Sequence, residues 1–337
     1  MTEKENFLRV ARGEMPEWVP RYLTMPEKGS QYKSAVTAIF PSFFYADRNP
    51  DGSGKDIFGV EYTPTESTGG MSLPAPGKYI LDDIRKWRDV IKVPDISGIN
   101  WEEMAAKGLE RVDRENTALE MGTHFGYFQH LMAFMGFTEG LTTMYEEPEE
   151  VMALFHYLAD FYDDVLKKSL IYYKPDLVLL NDDTATANNP FFSIDMYREM
   201  VKPFQMRQGE IIMNHGIPID MHNCGRCEDC IEDWFDFGVT MWNPAQIMND
   251  LAGIKKKYGR KLALVGCWDS SGPPGWAGAP EELVRTAVRE CIETFAPEGG
   301  FCFWGSVYGA TKDDPEAKQR SAWMTDEYNK LGRTFYN

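Results

Sequence analysis

The chain has 337 residues, of which 43% are apolar, so it can bury a large core. This length fits either two ordinary domains or one α/β barrel of roughly 250 residues with insertions. The formal net charge of −17 and the lack of a basic run beyond residues 255–257 exclude the basic face of a nucleic-acid-binding protein. No apolar run reaches the roughly 18 residues that a membrane span needs, and the polar start lacks a signal peptide. We therefore expect a cytoplasmic protein without a membrane partner, in which thiols stay reduced.

Short apolar runs alternate with longer helical patterns, without internal repeats or low-complexity linkers, so we expect a single domain spanning residues 1–337. Runs of this length and composition are typical of buried strands. The eight candidate strands are, in chain order, residues 19–23, 57–62, 117–124, 176–182, 217–224, 239–244, 262–269 and 300–306.

Amphipathic helices are predicted between the strands of the second half. In residues 146–173, apolar side chains recur at the i, i+3 and i+4 spacing of one helix face. Glutamates near the start of this segment and lysines near its end suit the helix dipole. A second helix is predicted to begin at the cap residue Ser193 and to end at Gly216. Residues 279–300 have similar helix boundaries.

Strands that are each followed by a helix, eight times over, predict a closed parallel barrel, the (β/α)8 or TIM barrel of the α/β class. The first 110 residues are less regular and are expected to form an N-terminal extension, with residues 40–56 and 65–79 as loops over the C-terminal face. An open doubly wound sheet is the alternative fold. It is weakened because no Gly-x-Gly-x-x-Gly motif follows an early strand.

Residues 221–230, MHNCGRCEDC, place one histidine and three cysteines in ten positions. The active site of a parallel barrel lies at the C-terminal ends of its strands, where His222 and Cys224 end the fifth candidate strand. Side chains two apart on a strand face the same way, so both can bind one metal ion. Gly225 then lets the chain turn away. Cys227 and Cys230 fall at the start of the following helix, where small core residues are expected.

A catalytic zinc ion needs a third protein ligand. Cys267 ends its strand at the same depth as Cys224 and is preferred, while Cys302 is the alternative, roughly 10 Å below the rim at about 3.3 Å per residue. Cys291 falls in a predicted helix and is expected to pack in the core. Three other interpretations stay open: a disulfide, which a reducing compartment disfavours; an iron–sulfur cluster, which lacks a nearby fourth cysteine; and an ordinary reduced pair in the core.

Polar and aromatic residues follow the other candidate strands. Asp182 and Asp183 end the fourth strand and are predicted catalytic residues that hydrogen-bond the substrate or order a zinc ligand. The alternative is that they cap the next segment. Rings at the rim can stack on a planar substrate, although aromatic residues make up 13% of the chain, so a chance cluster is the alternative. The side chains predicted to contact substrate are His124, Phe125, Trp268, Trp304 and Tyr308.

Four segments carry a resemblance to a known family. Residues 12–22 resemble the N-terminal start of this family, and residues 175–225 resemble its Asp-rich loop with the His-x-Cys-Gly block. Residues 255–271 resemble its Tyr-Gly segment, and residues 279–303 resemble its Gly-Gly-Phe ending. The family is the uroporphyrinogen decarboxylase superfamily, and the similarity is to its methyltransferase side. The resemblance covers most of the chain and implies a (β/α)8 barrel. It also implies zinc held by His222, Cys224 and a later cysteine, and methyl transfer to or from a corrinoid.

The chain departs from the family's patterns in two places. The decarboxylases carry an Arg-Gln-Ala-Gly-Arg-Tyr stretch near the N-terminus, where this chain has Arg21 and Tyr22 alone. In the methyltransferases the third zinc ligand typically follows the last strand in a Gly-Cys pair, where this chain has Gly305 and Ser306. The second departure indicates a substrate other than the thiol coenzyme M.

The resemblance therefore implies the methyltransferase of an anaerobic O-demethylase, which moves a methyl group from a methoxylated aromatic to a Co(I) corrinoid. No cobalamin-binding Asp-x-His-x-x-Gly motif is present, so a partner corrinoid protein is expected to carry that cofactor. Zinc would stabilise charge on the leaving oxygen. The alternatives are a thiol or another small methyl donor or acceptor, a uroporphyrinogen-type decarboxylase, and a non-catalytic protein with a closed zinc site.

Overall fold

Strands and helices alternate through the computed structural model, which describes residues 1–23, 32–65, 72–309 and 314–336. In chain order the strands are β1 (Val36–Ile39), β2 (Gly54–Lys55), β3 (Glu61–Pro64), β4 (Ser72–Pro74), β5 (Ala118–Gly122), β6 (Leu177–Asn181), β7 (Ile219–His222), β8 (Val239–Ala245), β9 (Ala263–Cys267) and β10 (Phe301–Trp304). The helices are α1 (Glu3–Ala11), α2 (Trp87–Val90), α3 (Trp101–Leu109), α4 (Tyr127–Met135), α5 (Phe137–Glu146), α6 (Pro148–Tyr173), α7 (Ile194–Met196), α8 (Lys202–Met213), α9 (Ile231–Phe235), α10 (Leu251–Tyr258), α11 (Glu281–Phe295) and α12 (Pro315–Leu331). Each strand from β5 onward is followed by at least one helix.

Seven of these strands form one parallel sheet in the order β1-β5-β6-β7-β8-β9-β10. Residues 20–22 lie beside β10, and their pairing is also parallel. The amide of Tyr22 donates to the carbonyl of Phe303 at 2.9 Å, and the amide of Phe303 donates to the carbonyl of Pro20 at 2.8 Å. This segment is the eighth element of the wall, so the predicted (β/α)8 barrel is confirmed.

The prediction of residues 57–62 as a barrel strand is wrong. β3 pairs antiparallel with β2 and β4 in a separate sheet. The apolar residues before it fold as a turn, because the carboxylate of Asp56 accepts the amides of Phe58 and Val60 at 2.9 Å each. Gly59 completes the turn with a φ of 88°, which glycine adopts readily. The missing barrel strand is β1, whose run of four residues is too short to give a clear pattern.

The predicted helices of the second half are confirmed. α6 covers almost all of residues 146–173, and Lys174 follows it in the left-handed conformation. Ser193 caps α7 by accepting the amide of Met196 at 3.2 Å, and the π-helical turn Tyr197–Val201 joins α7 to α8. α8 ends shortly before Gly216, which has a φ of 68°. Within the ranges that the structure describes, no helix combines the length and apolar character needed to cross a membrane.

The barrel is closed at the N-terminal ends of its strands. Buried side chains there form an interior cluster to which α1 also contributes. Its members from the strands are Val36, Ala118, Leu177, Met241, Ala263, Val265 and Cys302, and those from α1 are Phe7, Leu8, Val10 and Ala11. Most of the strand residues lie at or near the start of their strand, so α1 plugs that end. Open space is left at the C-terminal ends of the strands. The predicted loop of residues 40–56 and the small antiparallel sheet lie at this end. Of the other predicted loop, residues 66–71 fall outside the described residues.

Candidate functional site

Three side chains with metal-binding atoms meet at the ends of β6 and β7. The strands pair so that Asn181 lies opposite His222, and Asp183 and Cys224 follow these two residues on their loops. The Nε2 atom of His222 lies 3.7 Å from Sγ of Cys224 and 3.8 Å from Oδ1 of Asp183. Across the described part of the chain, this is the one group of His, Cys, Asp and Glu side chains whose ligand atoms lie within 4.8 Å of one another.

Asp183 is held in place by hydrogen bonds to both of its oxygens. Oδ1 accepts the backbone amide of Cys224 at 2.7 Å, and Oδ2 accepts the side-chain amide of Gln129 at 3.0 Å. Burial and the Asp183 carboxylate raise the pKa of the Cys224 thiol above its usual range. Gly225 makes the predicted turn with a φ of 92°, and a Cβ there would lie 2.6 Å from the carbonyl oxygen of Ala185. The turn therefore requires glycine.

The tautomer of His222 is set by a neighbour on β8. Nδ1 of His222 lies 2.7 Å from Oδ1 of Asn243, and Nδ2 of Asn243 donates to Asp220 at 2.6 Å. Because Asp220 takes the amide nitrogen, the amide oxygen must face the histidine and accept its Nδ1 proton. The lone pair of Nε2 then faces Cys224 and Asp183. This is the arrangement of a metal-binding histidine with a hydrogen-bonded second nitrogen.

A buried carboxyl pair lies beneath Asn243. Burial and the Asp220 charge raise the pKa of Glu120 well above its usual range, and burial raises the pKa of Asp220 to about 7. The hydroxyl of Tyr22 donates to Glu120 at 2.6 Å, and the side-chain amide of Asn243 donates to Asp220 at 2.6 Å. This pair was not predicted from the sequence. The available signal was an acidic residue inside each of two buried strands, Glu120 in β5 and Asp220 in β7. Asp220 lies two positions before His222, so both side chains face the same way.

Asp182 points away from the cluster and stabilises a helix. It is buried, and its oxygens accept the backbone amides of Phe128 at 3.1 Å and Gln129 at 3.0 Å, in the first turn of α4. Burial raises its pKa to about 7. Asp182 thus caps α4, which precedes it in the chain, and not the next segment, and its catalytic role stays a prediction. Gln129, in the same helix turn, also donates its side-chain amide to Asp183.

The structure does not bring a second cysteine to His222 and Cys224. Alternation along β9 would point Cys267 into the barrel, but it has a φ of 58° after Gly266 at 122°, and it packs in the outer core instead. Cys302 belongs to the interior cluster at the closed end. Asp183, predicted as a catalytic residue, is the third member of the group.

The remaining cysteines are core residues. Cys227 and Cys230 are buried at the start of the short helix that leads into α9, as expected for small helix residues, and Cys291 is buried on α11. All six cysteines of the chain lie within the described residues and none forms a disulfide.

A pocket of about 1090 Å³ adjoins the cluster, above the C-terminal ends of β1, β5 and β6. Asp183 and His124 line it. Burial, followed by the charges of His130, Arg48 and His222, lowers the pKa of His124 to about 4, so its ring is neutral near pH 7. The Tyr45 hydroxyl contacts Nε2 of this ring. The aromatic residues in the wall, apart from histidine, are Phe44, Tyr45, Tyr62, Tyr79, Phe128, Phe137 and Phe191.

The other residues predicted to contact substrate lie outside this pocket wall. Phe125 is buried and stacks on Tyr162 at 4.6 Å between centroids. Trp268 is buried and donates to the carbonyl of Ser306 at 3.1 Å. Trp304 packs on Tyr22, and Tyr308 is exposed. The aromatic wall comes instead from the loop after β1, from the small antiparallel sheet and the loop after it, from α4 and α5, and from the loop after β6, which composition alone does not distinguish.

Comparisons with known proteins place this barrel in a family. Residues 58–304 match the family model described as uroporphyrinogen decarboxylase (URO-D), and the chain belongs to this family. A solved structure of a methyltransferase from Methanosarcina mazei has the same fold, with a TM-score of 0.65, 11% sequence identity and 100% of each chain covered. No curated protein matches the chain in sequence. The resemblance to the superfamily is confirmed, and membership of the family indicates an enzyme.

Replacing Asp182 with asparagine tests its role in holding α4. One of the two backbone amides would face an NH2 group instead of an acceptor, so we expect a loss of about 1–3 kcal/mol in the free energy of unfolding at low pH. The raised pKa means that the folded wild type holds a proton that the unfolded chain has lost. Wild-type stability should therefore fall as the pH rises from about 4 to about 7, and the deficit of the variant should narrow.

Denaturant unfolding at several pH values in this window measures the effect. Asp195→Asn is the matched control, because Asp195 is exposed. A deficit for Asp182→Asn that widens towards pH 7 would contradict the assignment.

Proposed function

We propose that the chain is a zinc-dependent methyltransferase that moves a methyl group from a methoxylated aromatic to the Co(I) corrinoid of a partner protein. The observation that carries this proposal is the meeting of His222, Cys224 and Asp183 at the open end of the barrel, beside an aromatic pocket. Asp183 belongs to both features. A metal-binding group and a wall of rings at one place suit a reaction on a polar substituent of an aromatic molecule.

The residues of the cluster fit a zinc ion. Imidazole, thiolate and carboxylate are all zinc ligands, and atoms that share a tetrahedral zinc lie roughly 3.4–3.6 Å apart at ligand distances of about 2.0–2.3 Å. The spacings of 3.7 and 3.8 Å around His222 are close to this. One thiolate and one carboxylate would neutralise the ion, and three protein ligands leave a position for substrate. Zinc bound there supplies a Lewis acid for the ether oxygen.

The protein's own residues position the donor. Rings of the pocket wall such as Phe137, which is exposed, and Phe191 can stack on the aromatic substrate and exclude water. With the ether oxygen towards the cluster, the C–O bond to the methyl group breaks and leaves its electron pair on the phenolate oxygen. The methyl carbon forms a new bond with the electron pair of Co(I), which becomes Co(III), and the phenolate takes a proton from water on release.

Porphyrinogen decarboxylation, the activity for which the family is named, is less well supported. A porphyrinogen carries many carboxylates, and its pocket needs several cationic side chains. Arg48 is the one lysine or arginine among the described residues that line the pocket. Such a pocket suits a smaller and less charged aromatic molecule.

Methyl transfer is tested by incubating the zinc-loaded protein with free cob(I)alamin and a panel of methoxylated aromatics and methyl thiols. We expect the visible spectrum of methylcobalamin with at least one ether, and a fall in rate of at least about 100-fold in His222→Ala and Cys224→Ala. Cys302→Ala is the control and should keep its rate, because Cys302 lies in the interior cluster. Transfer from thiols alone, with none from any ether, would reject the proposed donor.

The second test is zinc affinity, measured by competition with a chromogenic chelator. Asn243→Ala removes the acceptor that orients His222, so we expect zinc affinity to fall by about 10–100-fold. Gln246→Ala is the matched control: Gln246 accepts the amide of Gly225 at 2.7 Å in the same region. An Asn243 variant that binds zinc as tightly as the wild type would show that this hydrogen bond does not support a metal site.

A further inference from the structure

The described part of the pocket wall contains one guanidinium group, that of Arg48, and it forms no ion pair with a described residue. Arg48 lines the pocket and stacks over the ring of Tyr62, with Cζ 3.6 Å from the ring centroid. Its Nη1 donates to the carbonyl of Gly52 at 2.7 Å. Among the residues that the structure describes, no carboxylate is close enough to Arg48 to form a salt bridge. A cation in this setting is fixed in position and available to a ligand.

One edge of the Arg48 side chain is free. Nε is buried and has no hydrogen-bond partner in the described structure, and Nη2 makes no hydrogen bond to a described residue. Nε and Nη2 together form one of the two-donor edges of a guanidinium, which matches the two oxygens of a carboxylate. A buried donor without an acceptor is unfavourable. A bound carboxylate would satisfy it.

The surroundings of Arg48 favour a small aromatic anion over other anions. The rest of the wall is mostly rings, and a polyphosphate or a polycarboxylate would need further cations that the described wall lacks. Arg48, His124 and Asp183 all line the pocket, so it extends from the guanidinium to the metal-binding group. Asp56 also lines the pocket, and its Oδ2 is buried without a partner. Its charge would oppose that of a bound anion.

We propose that Arg48 binds a carboxylate on the ring of the aromatic substrate, so that the methyl donors are methoxylated aromatic acids. The identity of these donors rests on the proposed function, whereas the carboxylate site itself does not require methyl transfer. The acid group would anchor one end of the ring at Arg48. The methoxy group would then lie towards His222, Cys224 and Asp183 at the other end.

Calorimetric titration of the zinc-free protein with three probes tests the site. The probes are 3-methoxybenzoate, its neutral isostere 3-methoxybenzamide, and benzoate, which has no methyl group to donate. We expect the wild type to bind 3-methoxybenzoate at least about tenfold more tightly than the amide. Equal binding of acid and amide would overturn the proposal without recourse to any variant.

Variants then assign the preference to Arg48. Arg48→Met should abolish it, and Arg48→Lys should restore only part, because an ammonium group cannot form the two-pronged contact. Lys55→Met is the matched control, since it removes the same charge from an exposed position on β2 and should keep the preference. Asp56→Asn should keep or increase it. A folded Arg48→Met protein that still prefers the acid would overturn the assignment.

The two proposals fail in different ways. Arg48-dependent binding of benzoate without methyl transfer from 3-methoxybenzoate would support the carboxylate site and reject the proposed function. Methyl transfer that is equally fast from the acid and the amide, with equal affinities, would support the function and reject the carboxylate site.

Discussion

The hydrogen bond from the backbone amide of Cys224 to the carboxylate of Asp183, 2.7 Å long, joins the two strand ends on which the site depends. β6 and β7 pair as neighbours in the barrel, so the residues that follow them emerge at the same level. The amide fixes one oxygen of Asp183, and Gln129 fixes the other. Three potential ligands at two strand ends are thereby held in place by the backbone and by one helix turn.

The site is supported from below by buried polar groups, which are costly unless each finds a partner. In the barrel interior Tyr22 donates to Glu120, and the neighbouring Asp220 accepts from Asn243, which in turn contacts Nδ1 of His222. Each member limits the orientation of the next. An apolar interior would have left the imidazole free to rotate and to exchange tautomers.

Much of this arrangement could be predicted from the sequence, and the remainder depended on contacts between distant segments. Strand alternation and position at a strand end were enough to predict the roles of His222 and Cys224 and the turn at Gly225, because these features depend on local sequence alone. Depth along a strand suggested Cys267 as the third ligand, but its positive φ rotates it out of the barrel, and no sequence pattern shows that rotation. Predicting Asp183 as a member of the metal-binding group would have required the register between the neighbouring strands β6 and β7. The barrel strand β1 was missed because its apolar run is only four residues long, and an apolar run of the same length at 57–60 folds as a turn around Asp56.

X-ray absorption at the zinc K-edge of the zinc-loaded protein tests the central claim most directly. If Asp183, His222 and Cys224 hold the ion, the first coordination shell contains a single sulfur at about 2.3 Å and nitrogen or oxygen neighbours at about 2.0–2.2 Å. The sulfur contribution should then vanish in Cys224→Ser. A shell with two or more sulfurs would show that another cysteine joins the ion, and it would contradict the ligand set proposed for this barrel.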